Sequence, residues 1–339
     1  MTSRTAALAL AVLPAALLAA CAGEPGTPGS PAPTSAAPGS PQLTIGLTYV
    51  PDVQFAPFYV AQERGYYADA GVDVTLRHHG QQESLFGALE AGEEDLVVAG
   101  GDEMLQARSE GVDVVSVATL YQDYPVVLIV PADSGITAPA DLAGRSVGLP
   151  GEFGENWFGL LTMLDQAGLT PDDVDVETIG YTQQAALTAG HVDAVVGFVN
   201  NDVVRFAQAG IDVDTVPLAD GDVPLVGIGI GARGDVLAQD EDAVAAAVAA
   251  TLRGVEDVLA DPEAALDITA EHVPGLDADR AAARATLAAT AELYTGDGVQ
   301  PGTVDPAAWE AMAEFMAGAG LLGDSGLTLA DAFRTDLVR

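Results

Sequence analysis

Residues 43–76 read LTIGLTYVPDVQFAPFYVAQERGYYADAGVDVTL, and this stretch decides the fold. The apolar run 43–48 predicts a strand, residues 58–70 a helix stopped by Gly71, and residues 72–76 the next strand. Strand, helix and strand in so short a span form the repeating unit of an open parallel sheet covered by helices. The unit recurs as helix 84–91, strand 96–99, helix 102–110 and strand 112–120. A Gly-(Val/Ile)-Asp-Val phrase at Gly71, Gly111 and Gly210 marks where a helix stops and a strand begins, which is α/β architecture rather than a tandem repeat.

A buried-type strand is expected at 126–130, followed by Pro131, after which the pattern restarts. Strands 146–149, 174–179, 194–199 and 213–217 alternate with helices 156–167, 183–189 and 202–209. Past Asp220-Gly221-Asp222, strand 225–232 is expected to return to the first lobe. From Asp240 onward the chain reads as Ala-rich helices, 240–260, 262–271, 279–294 and 306–319, packed on that lobe. The expectation is a two-lobed α/β protein with residues 43–129 and 222–339 in lobe 1 and 130–221 in lobe 2. Crossings near Val130 and Pro217 leave a cleft between the lobes, where small ligands bind.

Composition narrows the chemistry. Across 339 residues, 12 Lys+Arg face 50 Asp+Glu, a formal net charge of −38, so the basic surface that nucleic acids require is missing. All 12 basic residues are Arg, which excludes a pyridoxal Schiff-base lysine and a phosphate-loop lysine. The single cysteine, Cys21, permits neither an internal disulfide nor a Cys-rich zinc site. Arg4, the apolar run 6–20 and Leu18-Ala19-Ala20-Cys21 form an export leader, residues 1–20, whose end resembles a bacterial lipobox; Cys21 is then a lipid anchor. The Gly/Pro/Ser/Thr/Ala-rich stretch that follows cannot bury a core, so residues 21–42 are anchor and tether. No later window is long and apolar enough to span a bilayer.

In an open α/β sheet the loops at the carboxyl ends of strands line the ligand crevice. Tyr49, Gln54 and Phe55 offer aromatic and amide groups suited to a flat, neutral heterocycle, whereas Phe58 and Tyr59 read first as helix packing. Gly100-Gly101-Asp102-Glu103 opens a helix; its amides suit an anion, and Asp102 reads equally as a cap. Tyr121 follows the next strand. In the second lobe Glu152, Phe153 and Trp157 lie in or after a glycine-rich loop, with Trp157 either stacking on a ring or in the core; Asn200 is a ligand candidate, and Asn201 and Asp202 either bind or cap. With Phe58, Tyr59 and Gly100 set aside, the remaining thirteen residues are the candidate ligand set. His78 and His79 are adjacent on a strand and point to opposite faces, poor geometry for a metal, and neither a metal nor a cofactor is expected.

Four phrases, residues 53–67, Asp141-Leu142-Ala143-Gly144 with Gly148, Gly151-Glu152-Phe153-Gly154, and Asp193-Ala194, resemble the superfamily of thiamine-pyrimidine-precursor binding proteins, with sulfonate, nitrate and taurine binders as distant relatives. The resemblance covers residues 43–233 well and the helical end loosely. It implies a periplasmic-binding-protein fold of the second type, which delivers ligand to an ABC permease driven by a cytoplasmic ATPase. Residues 54–59, 121–125, 180–183 and 200–202 look closest to the riboflavin-importer binding subgroup, whose last phrase usually runs Asn-Glu-Pro; here Asp202 and Val203 replace the Glu and Pro. The superfamily's fungal pyrimidine synthases need a pyridoxal-bearing lysine, a sacrificed histidine and a Cys-rich motif. Ala99 and Glu103 fall at the first two positions, and residues 227–231 carry no cysteine.

The expected function is an extracytoplasmic, monomeric binding protein, not an enzyme, that captures riboflavin or a thiamine pyrimidine precursor and touches the membrane through its lipid alone. The alternatives are a receptor for an alkylsulfonate or other organic anion, for which no cleft arginine is apparent, and, remotely, a secreted hydrolase. The anchor reading predicts that Cys21→Ala moves the protein from the membrane to the soluble fraction; a variant still membrane-bound after a salt wash contradicts it.

Overall fold

The computed structural model describes residues 37, 39–80, 83–219, 223–296 and 298–338. The expected leader, Cys21, most of the tether and the Asp220-Gly221-Asp222 turn lie outside the described residues. The chain builds two five-stranded sheets. In the first, β1 (Gln42–Leu47), β2 (Asp73–His78), β3 (Leu96–Gly100), β4 (Val114–Thr119) and β10 (Ile228–Arg233) take the order β2-β1-β3-β10-β4. In the second, β5 (Val126–Pro131), β6 (Ser146–Leu149), β7 (Asp175–Thr178), β8 (Ala194–Phe198) and β9 (Val213–Val216) take the order β7-β6-β8-β5-β9.

Each sheet has one antiparallel member. β10 runs against β3 and β4, with Ile230 opposite Val98 and Ala118, and β5 runs against β8 and β9, with Leu128 opposite Val196 and Val216. The strand expected to close the first lobe, residues 126–130, therefore stands in the second sheet, and the chain crosses between Thr119 and Val126 rather than near Val130. A lone apolar run carries no mark of the sheet it joins, which is why the pattern left this open. The close fit of β10 explains its sequence IGIGAR: a Cβ on Gly229 would lie 2.2 Å from the Ala118 carbonyl oxygen, and one on Gly231 would strike Val114 and Met104.

The expected helix 58–70 is two helices, α1 (Ala56–Glu63) and α2 (Tyr66–Asp69), because Gly65 turns the chain at φ 72°. The parallel strands are followed by α3 (Gly87–Ala91), α4 (Gly101–Ser109), α5 (Gly154–Gln166), α6 (Gln183–Thr188) and α7 (Asp202–Gln208). After β10 come α8 (Gly234–Gln239), α9 (Glu241–Ala260), α10 (Pro262–His272), α11 (Arg280–Thr295) and α12 (Pro306–Gly318). Val244, Val248, Thr251, Val255 and Val258 form a helical stripe on α9 that is fully buried against the first sheet's core. Trp309, Met312 and Met316 of α12 do the same over β3 and α4. The Ala-rich helices thus cover the first sheet, as expected. His78 and His79 take separate partners: His78 Nε2 lies 3.0 Å from the Tyr59 hydroxyl, and His79 Nε2 lies 2.8 Å from the buried Glu94.

Helix α9 crosses α1 at Gly254, where an added Cβ would stand 2.1 Å from the Pro57 carbonyl oxygen. Ala is normally better than Gly inside a helix by about 1 kcal/mol. Here backbone occupies the space, so Gly254→Ala is expected to destabilise the protein by about 1–3 kcal/mol in denaturant unfolding. An unchanged or raised midpoint would contradict so close a crossing.

Candidate ligand-binding cleft

The carboxyl ends of the parallel strands of both sheets face a common cleft of about 240 Å³. Thr48 and Tyr49 enter it after β1, residues 98–100 at the end of β3, Leu120 and Tyr121 after β4, Pro150 after β6, Tyr181 after β7 and Phe198 at the end of β8. The Tyr49 carbonyl oxygen lies 3.1 Å from His78 Nδ1. Phe55 packs edge-on against His78 and Phe58, in a turn capped by Asp52. The buried Tyr121 sits edge-on to Tyr294 of α11, with ring centroids 5.5 Å apart. Across the cleft, Phe153 and Tyr181 are 58% and 61% exposed, unusual for aromatic side chains of this size.

Of the residues singled out from sequence, Tyr49, Gln54, Phe55, Glu103, Tyr121, Phe153, Asn201 and Asp202 line the cleft. Gly101, Asp102, Glu152, Trp157 and Asn200 do not. Gly101 lies under the returning chain, where a Cβ would be 2.6 Å from Val226. Asp102 is fully buried and is not the helix cap; it accepts from the Tyr124 hydroxyl at 2.6 Å and the Glu103 amide at 2.7 Å. Trp157 packs between two apolar clusters, and Glu152 is exposed outside the cleft. Asn200 is buried and donates to Thr290 of α11 at 3.0 Å. Asp202 accepts from the Phe198 amide at 2.9 Å.

The anion site expected at Gly100–Glu103 is closed from within. The Gly100 amide donates to Glu103 Oε2, the Gly101 amide to the Val226 and Gly227 carbonyls, and the Glu103 amide to Asp102. Conversely, Arg205 of α7 lines the cleft, so the expectation that it holds no arginine is corrected. Glu155, Asn156, Tyr181, Gln183 and Tyr294 were also missed. Tyr181 was within reach of the rule applied to the other loops, since it follows β7; Arg205 and Tyr294 lie inside helices, where no loop rule points.

Acidic groups dominate the electrostatics. Burial, and then the Glu103 charge, raises the carboxyls of Asp102 and Glu155 well above the usual range, and burial lifts Glu103 itself to about 7. Burial also raises Asp52 and Asp202, and in both the Arg205 charge opposes the shift. The cleft can therefore stack a flat ring, present amides to its edge and offer carboxyl groups whose burial favours the protonated form. Ala99 and Glu103, standing where the resemblance puts the synthases' lysine and histidine, both line it.

Residues 52–265 match the sequence model described as NMT1/THI5 like. The chain is 32% identical over 342 residues to the riboflavin-binding protein RibY of Chloroflexus aurantiacus, covering 98% of this chain and 97% of that protein. It is 28% identical over 228 residues to the formylaminopyrimidine-binding protein of Halalkalibacterium halodurans, covering 67% and 69% respectively. In fold it resembles the alkanesulfonate-binding protein SsuA of Xanthomonas axonopodis pv. citri solved with MOPS, at a TM-score of 0.66 and 19% identity over 86% of this chain and 98% of that one. A match over most of the chain to the family's sequence pattern, together with the shared two-sheet fold, means that this protein belongs to the NMT1/THI5-like family.

Proposed function

We propose that this chain is the extracytoplasmic substrate-binding component of an ABC importer and captures a flat heterocycle of the flavin or aminopyrimidine type. One observation carries the reading: Phe153 and Tyr181 stand exposed on one side of a cleft whose other side carries Tyr49 and Phe55. Exposed rings facing a cavity are placed to stack on a planar ligand, and Gln54, Gln183 and Asn201 supply donors and acceptors for its edge. The relatives named for riboflavin and formylaminopyrimidine support the same class. Residues 43–125 with 223–338, and 126–217, act as two lobes that close by bending at the crossings, and the closed form engages the permease. Cys21 carries the lipid that keeps the protein, as a monomer, at the membrane; no helix among the described residues is long and apolar enough to cross one. No reaction is part of this reading.

A second reading, an organic-anion receptor, is favoured by Arg205 in the cleft and by the fold shared with a sulfonate-binding protein. Asp52 and Asp202 beside Arg205, and the internally used amides at Gly100–Glu103, weigh against it. Calorimetric or fluorescence titration decides between them. Riboflavin or formylaminopyrimidine is expected to bind below the high-micromolar range, with MOPS failing to compete; binding of MOPS alone reverses the order of the readings. Phe153→Ala and Tyr181→Ala each remove an exposed ring, so each is expected to weaken binding roughly tenfold while leaving the unfolding midpoint in place, from stacking of about 0.5–1.5 kcal/mol plus lost area. Affinity untouched in both variants rules out the ring sandwich.

A further inference from the structure

One end of the cleft carries an oxygen that no group among the described residues satisfies. Glu155 is 6% exposed, and its Oε1 has no hydrogen-bond partner among the described residues. It borders the cleft beside Gly100, whose missing side chain makes the room: a Cβ there would lie 2.9 Å from Oε1. Glu103 turns Oε2 back to the Gly100 amide at 3.0 Å, and a Cβ on Gly154 would lie 2.8 Å from its Oε1. Asp102 lies behind, accepting from Tyr124, whose hydroxyl also reaches the Glu155 carbonyl at 3.2 Å. Two carboxyls from α4 and one from α5 thus meet where the two sheets face each other.

The titratable groups facing this cluster from the neighbouring elements are Tyr121 and Tyr124, from the crossing, and Tyr181, from the loop after β7. All three are neutral acids. Arg205 acts instead on Asp52 and Asp202. Two buried carboxyls and the half-buried Glu103, with no cation beside them among the described residues, cannot all ionise, because desolvation and mutual repulsion both favour the proton-bearing form. An ionised carboxylate only accepts hydrogen bonds, whereas a protonated one also donates.

We propose that Glu103 and Glu155 meet the ligand as neutral carboxylic acids that donate O–H hydrogen bonds to acceptor atoms, carbonyl oxygens or ring nitrogens, on the buried edge of the heterocycle. Capture is therefore linked to proton binding. The identity of the ligand rests on the reading above, whereas the protons are held by the empty protein as well. The sign is fixed: the binding-competent form carries the proton, so affinity is full in mild acid and falls as pH rises past about 7 for Glu103, with the Glu155 carboxyl likewise raised well above its usual range by burial. A cationic ligand would need the ionised pair and would give the opposite slope.

The test is a riboflavin titration from about pH 6 to about pH 8.5, repeated with formylaminopyrimidine if riboflavin does not bind. The wild-type Kd is expected to rise at least about tenfold over that interval, the rise to be smaller in Glu155→Gln and in Glu103→Gln, and the double variant to be nearly flat, since an amide donates at every pH. Infrared spectra of the ligand-free protein near pH 6 provide the independent arm: the carbonyl stretch of protonated carboxyl groups should be present and should lose intensity in each variant. An affinity that rises with pH, a wild-type slope retained by the double variant, or an acid band that neither substitution diminishes overturns the proposal. If neither compound binds at any pH, the heterocycle reading falls, and the infrared difference alone decides whether the pair holds protons.

Discussion

Each sheet is closed by a strand that runs against its neighbours, and the rest of the structure depends on those two insertions. β10 fits between β3 and β4 only because Gly229 lets backbone approach backbone and Gly231 leaves room for the Val114 and Met104 side chains. β5 fills the matching place between β8 and β9. With both strands seated, the chain must pass between the sheets twice, and the carboxyl ends of the parallel strands come to face one another. The cleft, its aromatic walls and its carboxyl groups follow from that arrangement.

The sequence made the elements legible because periodicity and glycine stops are local signals. The apolar runs at β1, β3 and β6 and the stop at Gly71 carried the alternating pattern with little else. Sheet membership is not local: nothing within residues 126–131 says that this strand leaves the first sheet. The candidate site divides on the same line. Tyr49, Phe55 and Phe153 were found because they sit in loops at strand ends. Gly101 was read as a place for an anion because Val226, which covers it, is far away in the chain. Asn200 is in the right loop and Trp157 in the first turn of the helix after one, but a hydrogen bond to Thr290 in the first case and packing in the second turn them away from the cleft. Arg205 and Tyr294 reach it from within helices, and only the completed packing of α7 and α11 shows that.

The scarcity of cations shapes both the surface and the cleft. The arginines are mostly spent in pairs: Arg64 with Asp257, Arg280 with Asp267 and Asp277, Arg284 with Glu263, and Arg334 with Glu241 and Asp336. Exposed pairs of this kind contribute little each, being screened by solvent. Their larger effect is that the carboxyls of Asp102, Glu103 and Glu155 are left to be neutralised by protons. Arg77 is the counterexample, reaching the buried Glu94 at 2.7 Å together with His79 beneath the first sheet, where a Cβ on Gly46 would collide with the Glu94 carboxylate.

The discontinuity of the first sheet also sets an order of assembly. The strands of the second sheet are contiguous, from Val126 to Val216, so that sheet can be completed as soon as its own segment is available. The first sheet cannot: until residues 228–233 exist, β3 and β4 have no strand to join them, and each presents an apolar, unpaired edge. A nascent chain therefore carries the first third of its sequence as an unfinished sheet while the middle third folds, and any factor that guards the chain against aggregation has those two edges to cover.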